Sequence, residues 1–361
     1  MKLRPLIIVL AVALSACGGS AAPSPSAAGS SAKTSPPAPS AAASQAPSPS
    51  SSSAAASSPA AINLKVAFVP STLFAPLFLA IDKGYLQAQG LKVELTNVAA
   101  GQDAMAFLSN GQLDAAVGGI SAGTFNAINQ GLDVRIVASM GAAPAGRDPS
   151  ALMVRSDETA SGAIKSPADL KGKKIGITGG NGSTGAYYLA KILAGGHLTP
   201  KDVDLENLSF PNQVVGFKNK AIDAALPAAP FTTEILSQKT AEIASFGHLE
   251  AGRSGVGVMY GSRLLTKQPD LGKKLLAALI KGAADASGPH AKDPANLEIL
   301  AKYTKLPVQT LQTIALYDFR PDLSPDTDTY LDMQKVFIQA GWLKLAQPLP
   351  AEKIVSLTPR K

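Results

Sequence analysis

Ile62-Asn-Leu-Lys-Val-Ala-Phe-Val69, Phe74-Ala-Pro-Leu-Phe-Leu-Ala-Ile-Asp-Lys83 and Leu91-Lys-Val-Glu-Leu95 follow one another with short breaks, and their order decides the fold. The first alternates apolar and polar residues like a strand and stops at Pro70. The second is apolar at helical spacing. Pro76 is tolerated in its first turn and Gly84 is placed to end it. The third alternates again. Downstream, Ala104 to Asn110 reads as a helix closed by Gly111, and Leu113 to Val117 as a strand ending in Gly118-Gly119. Ser121 caps a helix reaching Gln130, and Val134 to Ser139 is another strand. Strand and helix in strict alternation imply a mainly parallel sheet covered by helices.

The pattern then repeats. A strand lies within Asp169–Thr178, a glycine-rich loop follows it, and a helix runs from about Thr184 to Ala194. Asp204–Leu208 is a strand, Asn212–Asn219 a short helix and Ile222–Ala225 a strand, and Pro230 opens a helix. Gly255–Tyr260 reads as a strand leaving this second unit. Arg263 to Ala340 is nearly all helix, broken at Pro269, Pro294, Pro307 and Pro325. The expected architecture is α/β with two lobes, each a sheet flanked by helices, and a cleft between them suited to a small ligand.

Upstream of the first strand, Lys2 and Arg4 precede the mostly apolar run Leu6–Ala16, and Leu14-Ser15-Ala16 leads into Cys17, the one cysteine of the chain. A basic start and a short apolar core make a secretory signal, too short for the ~20 residues of a membrane-spanning helix. Residues 18–61 are almost wholly Ser, Ala, Pro and Gly. That composition buries too little apolar surface to fold and reads as a disordered tether. Its reach is roughly 35 Å as a coil and about 130 Å fully extended. With one cysteine there is no disulfide, so packing alone must hold the fold.

The net charge of +7 overstates the basicity of the folded part. Without Lys2, Arg4 and Lys33, 30 basic residues face 26 acidic ones, scattered and without interleaved aromatics, which excludes a nucleic-acid interface as the main function. Of the histidines, His197 follows Gly-Gly at a helix end, His248 follows Gly247 and His290 follows Pro289. None has the spacing of a metal site. Catalytic residues, metal and cofactor are therefore all expected to be absent.

Gly180-Asn-Gly182-Ser-Thr-Gly185 matches the dinucleotide fingerprint G-x-G-x-x-G between a strand and a helix. The next strand, however, ends in Ser209-Phe210-Pro211, where a ribose-binding acid belongs. Nor is the loop a Walker A motif, because Ala186-Tyr187 stand in place of Lys-Ser/Thr. What remains is a helix N-terminus at Ser183 or Thr184 that can hold an anionic or polar group on backbone N–H, or simply be capped. Gly119-Ile120-Ser121 repeats that arrangement in the first lobe.

Several stretches resemble the solute-binding proteins of ABC importers for nitrate, sulfonates, taurine and thiamine-pyrimidine precursors. They are Phe74–Tyr85, Gly90–Glu94, Leu108–Ala115, Gly131–Val134, Ser166–Gly176, Lys220–Ala224 and Pro230-Phe231, in family order over roughly Ile62 to Ile243. The pattern ending at Cys17 likewise resembles a bacterial lipoprotein signal, whose cysteine is lipidated and begins the mature chain. The resemblance implies a two-lobed periplasmic-binding-protein-like fold of type II, with crossovers near Ala151–Arg155 and Ala251–Gly257. Lobe one would then be 62–153 plus 252–361, and lobe two 154–251.

Carried over residue by residue, the family's site falls on Ser71, Thr72 and Phe74; Gly119, Ile120 and Ser121; Asn181, Gly182, Ser183 and Thr184; and Pro230 with Phe231. Ala229-Pro230 lacks the acid that family members often carry there, which weakens the case for a ligand amine. Arg147 or Arg253 would supply positive charge. The resemblance further implies an exported, lipid-anchored monomer, at the outer face of the cytoplasmic membrane, in the periplasm or on the cell surface. It would deliver a small polar or anionic organic solute to a permease and its ATPase. A surface sensor or adhesin with the same fold is the alternative. Trp342 is expected to pack the last helix onto lobe one.

Overall fold

The computed structural model describes residues 61–360. The signal, Cys17 and all but the end of the tether lie outside the described residues. Ten strands form two five-stranded sheets. In chain order, β1 is Ile62–Phe68, β2 Leu91–Asn97, β3 Ala115–Gly119 and β4 Arg135–Ser139. Then come β5 Ala151–Arg155, β6 Lys174–Ile177, β7 Asp204–Asn207, β8 Ala224–Ala225 and β9 Ala241–His248. Last is β10, Val256–Tyr260.

The first sheet has the order β2-β1-β3-β10-β4 and the second β7-β6-β8-β5-β9. Each is therefore parallel except at its fourth position, where one strand runs the other way. That strand is borrowed. β5 leaves the first sheet to run antiparallel between β8 and β9, and β10 returns to run antiparallel between β3 and β4, with Val258 opposite Val117 and Ala138. Both are buried on both faces: Leu152, Met153, Val154, Val258 and Met259 have no exposed surface. This explains the continuous apolar runs Ala-Leu-Met-Val and Val-Gly-Val-Met-Tyr in place of alternation.

Two expectations shift. Residues 151–155 are a full strand of the second sheet, so the chain crosses before residue 151 rather than within the strand. β3 starts later than read and continues through Gly118-Gly119. The Asp114 carboxylate sits ahead of it, accepting from Lys65 N and Arg263 Nη1 at 2.8 and 3.1 Å. At the C-terminal prolines the helical run breaks as expected, with Pro269 and Pro294 opening the helices Pro269–Asp285 and Pro294–Thr304. Helix Pro269–Asp285 packs on Ala75–Asp82. A Cβ at Gly282 would stand 2.1 Å from the Pro76 carbonyl oxygen, so only glycine allows that approach.

Candidate functional site

In both sheets the parallel strands end toward one cavity between the lobes, the usual place for a ligand in open α/β sheets. Its space measures about 830 Å³, counted out to its open mouth. Loops after β1 bring Val69, Leu73 and Phe74; those after β2 and β3 bring Gln102, Gly119 and Ser121. From the second lobe come Thr178, Ser183, Thr184, Tyr188, Phe210 and Leu226. Arg253 lies on the segment returning to β10, and Tyr317 comes from the C-terminal region.

Five of the twelve expected residues therefore reach the wall: Phe74, Gly119, Ser121, Ser183 and Thr184. Seven do not line it. Ser71 and Thr72 are buried and donate their hydroxyls to the Ala229 carbonyl at 2.7 and 3.3 Å. Ile120 is fully buried, with its carbonyl turned to Thr184. Asn181 is exposed, and the Gly182 carbonyl accepts from Ala122 N at 2.8 Å. Pro230 is buried behind the wall. Phe231 stacks on Phe210 with centroids 5.8 Å apart, in a side space next to the cavity. None of these seven lines the cavity, and the hydroxyls of Ser71 and Thr72 with the carbonyls of Ile120 and Gly182 are spent on bonds within the structure.

The two helix N-termini read from sequence do face each other, but much of their hydrogen bonding is already used. Ser121 Oγ accepts from Thr124 N and Ser183 Oγ from Ala186 N, both ordinary caps. Ala122 N is taken by Gly182 across the cleft. Thr184 Oγ1 lies 2.8 Å from the carbonyl oxygens of both Ile120 and Gly255. Glycine at 119 and 255 makes this possible, since a Cβ there would come within 2.7 Å of Thr184 Oγ1 and 2.6 Å of its Cγ2 respectively. Gln102 Nε2 adds a bond to Gly179 O at 2.6 Å, and Gly255 N donates to Tyr188 Oη at 2.9 Å. The lobes are thus closed on each other around the cavity.

The wall residues that sequence reasoning missed are mostly aromatic or neutral polar. Tyr188 stands four residues after Thr184 on one helix face, a spacing that local reading could have used. Nothing local marks Tyr317, which arrives from the far C-terminal region. It donates to Pro149 O at 3.0 Å and accepts from Ala229 N at 3.2 Å, which leaves Ser150 Oγ donating to it at 2.6 Å. Burial pushes the Tyr188 phenol up to about 12, and it pushes Tyr317 up as well, so both remain neutral.

Among the described residues, Arg253 is the one charged side chain on the wall, and no carboxylate lines it. Arg147 instead pairs with Asp318 on the surface at 3.4 Å. No group of three or more His, Cys, Asp or Glu suited to a metal occurs among the described residues. None of their helices is long and apolar enough to cross a membrane.

Two lobes that exchange one strand each, closed over an interlobe cavity, define the periplasmic-binding-protein fold. The chain belongs to the NMT1/THI5-like family, whose model matches residues 71–291. A curated relative, the riboflavin-binding protein RibY of Chloroflexus aurantiacus, is 26% identical over 228 residues. That match covers 62% of this chain and 62% of RibY, so the chain spans less than two thirds of the relative's length. Among solved structures, the alkanesulfonate-binding protein SsuA from Xanthomonas axonopodis pv. citri, bound to MOPS, is 21% identical with a TM-score of 0.66. It aligns over 83% of this chain and 99% of its own. The nitrate-binding protein NrtA from Synechocystis PCC 6803 is 17% identical with a TM-score of 0.67, over 83% of this chain and 87% of its own. The same fold also carries an enzyme, the desulfurization enzyme DSZB, at 16% identity and a TM-score of 0.55 over 83% of this chain and 98% of its own. At these identities the likeness to solved structures concerns the fold.

Proposed function

We propose that the chain is the extracytoplasmic, lipid-anchored solute-binding subunit of an ABC importer, without catalytic activity. Its solute is a small organic molecule with a ring body. The lobes close on the solute, and a permease with its ATPase receives the closed form. One observation carries the choice of solute. The wall is mostly apolar and aromatic, with Phe74, Tyr188, Phe210 and Tyr317, which suits a ring body better than a bare inorganic ion. The hydroxyl protons of Ser121 and Ser183, whose oxygens accept the cap bonds, supply polar contacts that fix orientation. The likeness to RibY, a riboflavin-binding protein, points the same way. Anchoring through Cys17 rests on the sequence pattern before it.

The test is thermal unfolding of the protein after stripping bound ligand by unfolding and refolding. The panel is riboflavin, thiamine pyrimidines, aromatic and aliphatic sulfonates, nitrate and bicarbonate. A ligand at 100 times its Kd stabilises by ~2.7 kcal/mol, a shift of roughly 5–10 °C for a chain of this size. A shift with a ring compound and none with nitrate is expected. A shift with nitrate or bicarbonate alone overturns the ring reading. A folded protein that responds to nothing favours a sensor or adhesin.

A further inference from the structure

Resting on that reading, we propose that Arg253 selects the solute: it takes an acidic group (sulfonate, phosphate or carboxylate) at the end of a molecule whose ring fills the apolar cavity. Arg253, Leu249 and Tyr188 line the cavity on one side and, on the other, a surface groove of about 740 Å³ counted with its open mouth. They are the partition between the two spaces. The groove also carries Lys191 and His248, against a single acid on its own lining, Glu250.

The partners of Arg253 leave it available. Asp326, buried behind it, is served without it: Ser254 N donates at 2.9 Å, Thr329 Oγ1 at 2.8 Å, and Arg320 pairs at 3.2 Å. Arg253 stands at 3.8 Å from that carboxylate, and its guanidinium hydrogen-bonds, among the described residues, only to Glu250, at 3.1 Å. The Glu250 side chain is 63% exposed, so the pair is a weakly held surface contact. Lys191 and His248, by contrast, are engaged by Asp332 and Asp148 at 3.0 Å each. A guanidinium with free donors beside a cavity without carboxylates suits a planar or tetrahedral acid that it can grip by two parallel hydrogen bonds. An acid arriving from the cavity side competes with Glu250 at 3.1 Å and, more weakly, with Asp326 at 3.8 Å.

Two matched pairs test this by titration of the full protein: riboflavin against riboflavin 5′-phosphate, and 2-naphthol against 2-naphthalenesulfonate. The acidic member of a pair is expected to bind at least about tenfold more tightly. In Arg253→Gln that preference disappears, read as the ratio of the two affinities within the variant, which falls to less than about twofold whatever the neutral member's own affinity becomes. Arg253→Lys retains part of the preference, since it keeps the charge and loses the fork. Glu250→Gln, which frees the guanidinium, tightens the acidic member severalfold. Equal binding of both members by the wild type, or an undiminished preference in Arg253→Gln, overturns the role of Arg253. Should Arg253→Gln fail to fold, a Glu250→Gln protein without tightening overturns it equally. If none of the four compounds binds, the ring-solute reading falls and this proposal with it. If the neutral members bind and the acids gain nothing, only the role of Arg253 falls.

Discussion

Thr184 has one hydroxyl proton and two carbonyl oxygens within 2.8 Å to receive it, both on the opposite lobe. Its cap-like position was readable from the Gly-rich loop, but its partners were not, because they lie 64 and 71 residues away in sequence. We expect Thr184→Val to fold normally and to weaken solute binding about tenfold, as an equilibrium titration would show, since a lost interlobe hydrogen bond is worth ~1.4 kcal/mol. Ser71 and Thr72 teach the converse. Hydroxyls next to a proline after a strand look free in sequence, yet both are spent on Ala229. At the end of β5, Arg155 pairs with Asp157, Glu158 and Asp223 at 2.5, 2.8 and 2.9 Å and donates to Ile222 O. Removing it leaves Asp223 without a cation, while Glu158 keeps Lys173 and Asp157 keeps Lys220. Arg155→Met should cost about 1–3 kcal/mol in urea unfolding without touching ligand affinity.

Elements with a strong local signal were legible: the helix Thr184–Ala194 and the capped helix after Ser121 lie where the sequence placed them. β9 was not, because Ala-Glu-Ile-Ala-Ser-Phe-Gly-His buries every third residue and shows no alternation. Between elements, Gly255 lets the start of β10 approach the helix carrying Thr184. Gly255→Ala should wedge the lobes apart, raising Kd several-fold with little change in the unfolding of the unliganded protein, because its Cβ would sit 2.6 Å from Thr184 Cγ2. Helices Thr184–Ala194 and Thr327–Gln339 are joined at Asp332, which accepts from Tyr187 Oη at 2.8 Å and Lys191 Nζ at 3.0 Å. Partial burial pushes its carboxyl upward, but the bonds from Lys191 and Tyr187 prevail and hold it below the usual range. A depressed carboxyl stabilises above its unfolded pKa of ~3.9 and ceases to do so as pH falls through the folded value. The melting temperature of the wild type should exceed that of Asp332→Asn at pH 6, and the gap should close on acidification below about pH 4.

At the scale of the molecule, the repeated strand–helix alternation made the two sheets legible. Which loops would meet across the cleft was not, because a sheet's partners follow from the chain path and not from local pattern. Trp342 shows the limit. It packs on Phe337, as expected for lobe one, with centroids 6.0 Å apart, but it also packs against the core of the second lobe. It therefore sits on the joint, and its fluorescence should change on solute binding in step with a smaller radius of gyration in solution scattering. A bound protein with neither change would mean that the lobes do not move. The traded strands have a consequence for how the protein is made. The whole second sheet is contiguous, from Ala151 to His248, whereas the first lacks its fourth strand until Val256–Tyr260 arrive. In a chain that emerges N-terminus first, the later half can be finished while the earlier one still waits with a gap between β3 and β4, holding two unpaired edges open to chaperones or to a neighbouring chain.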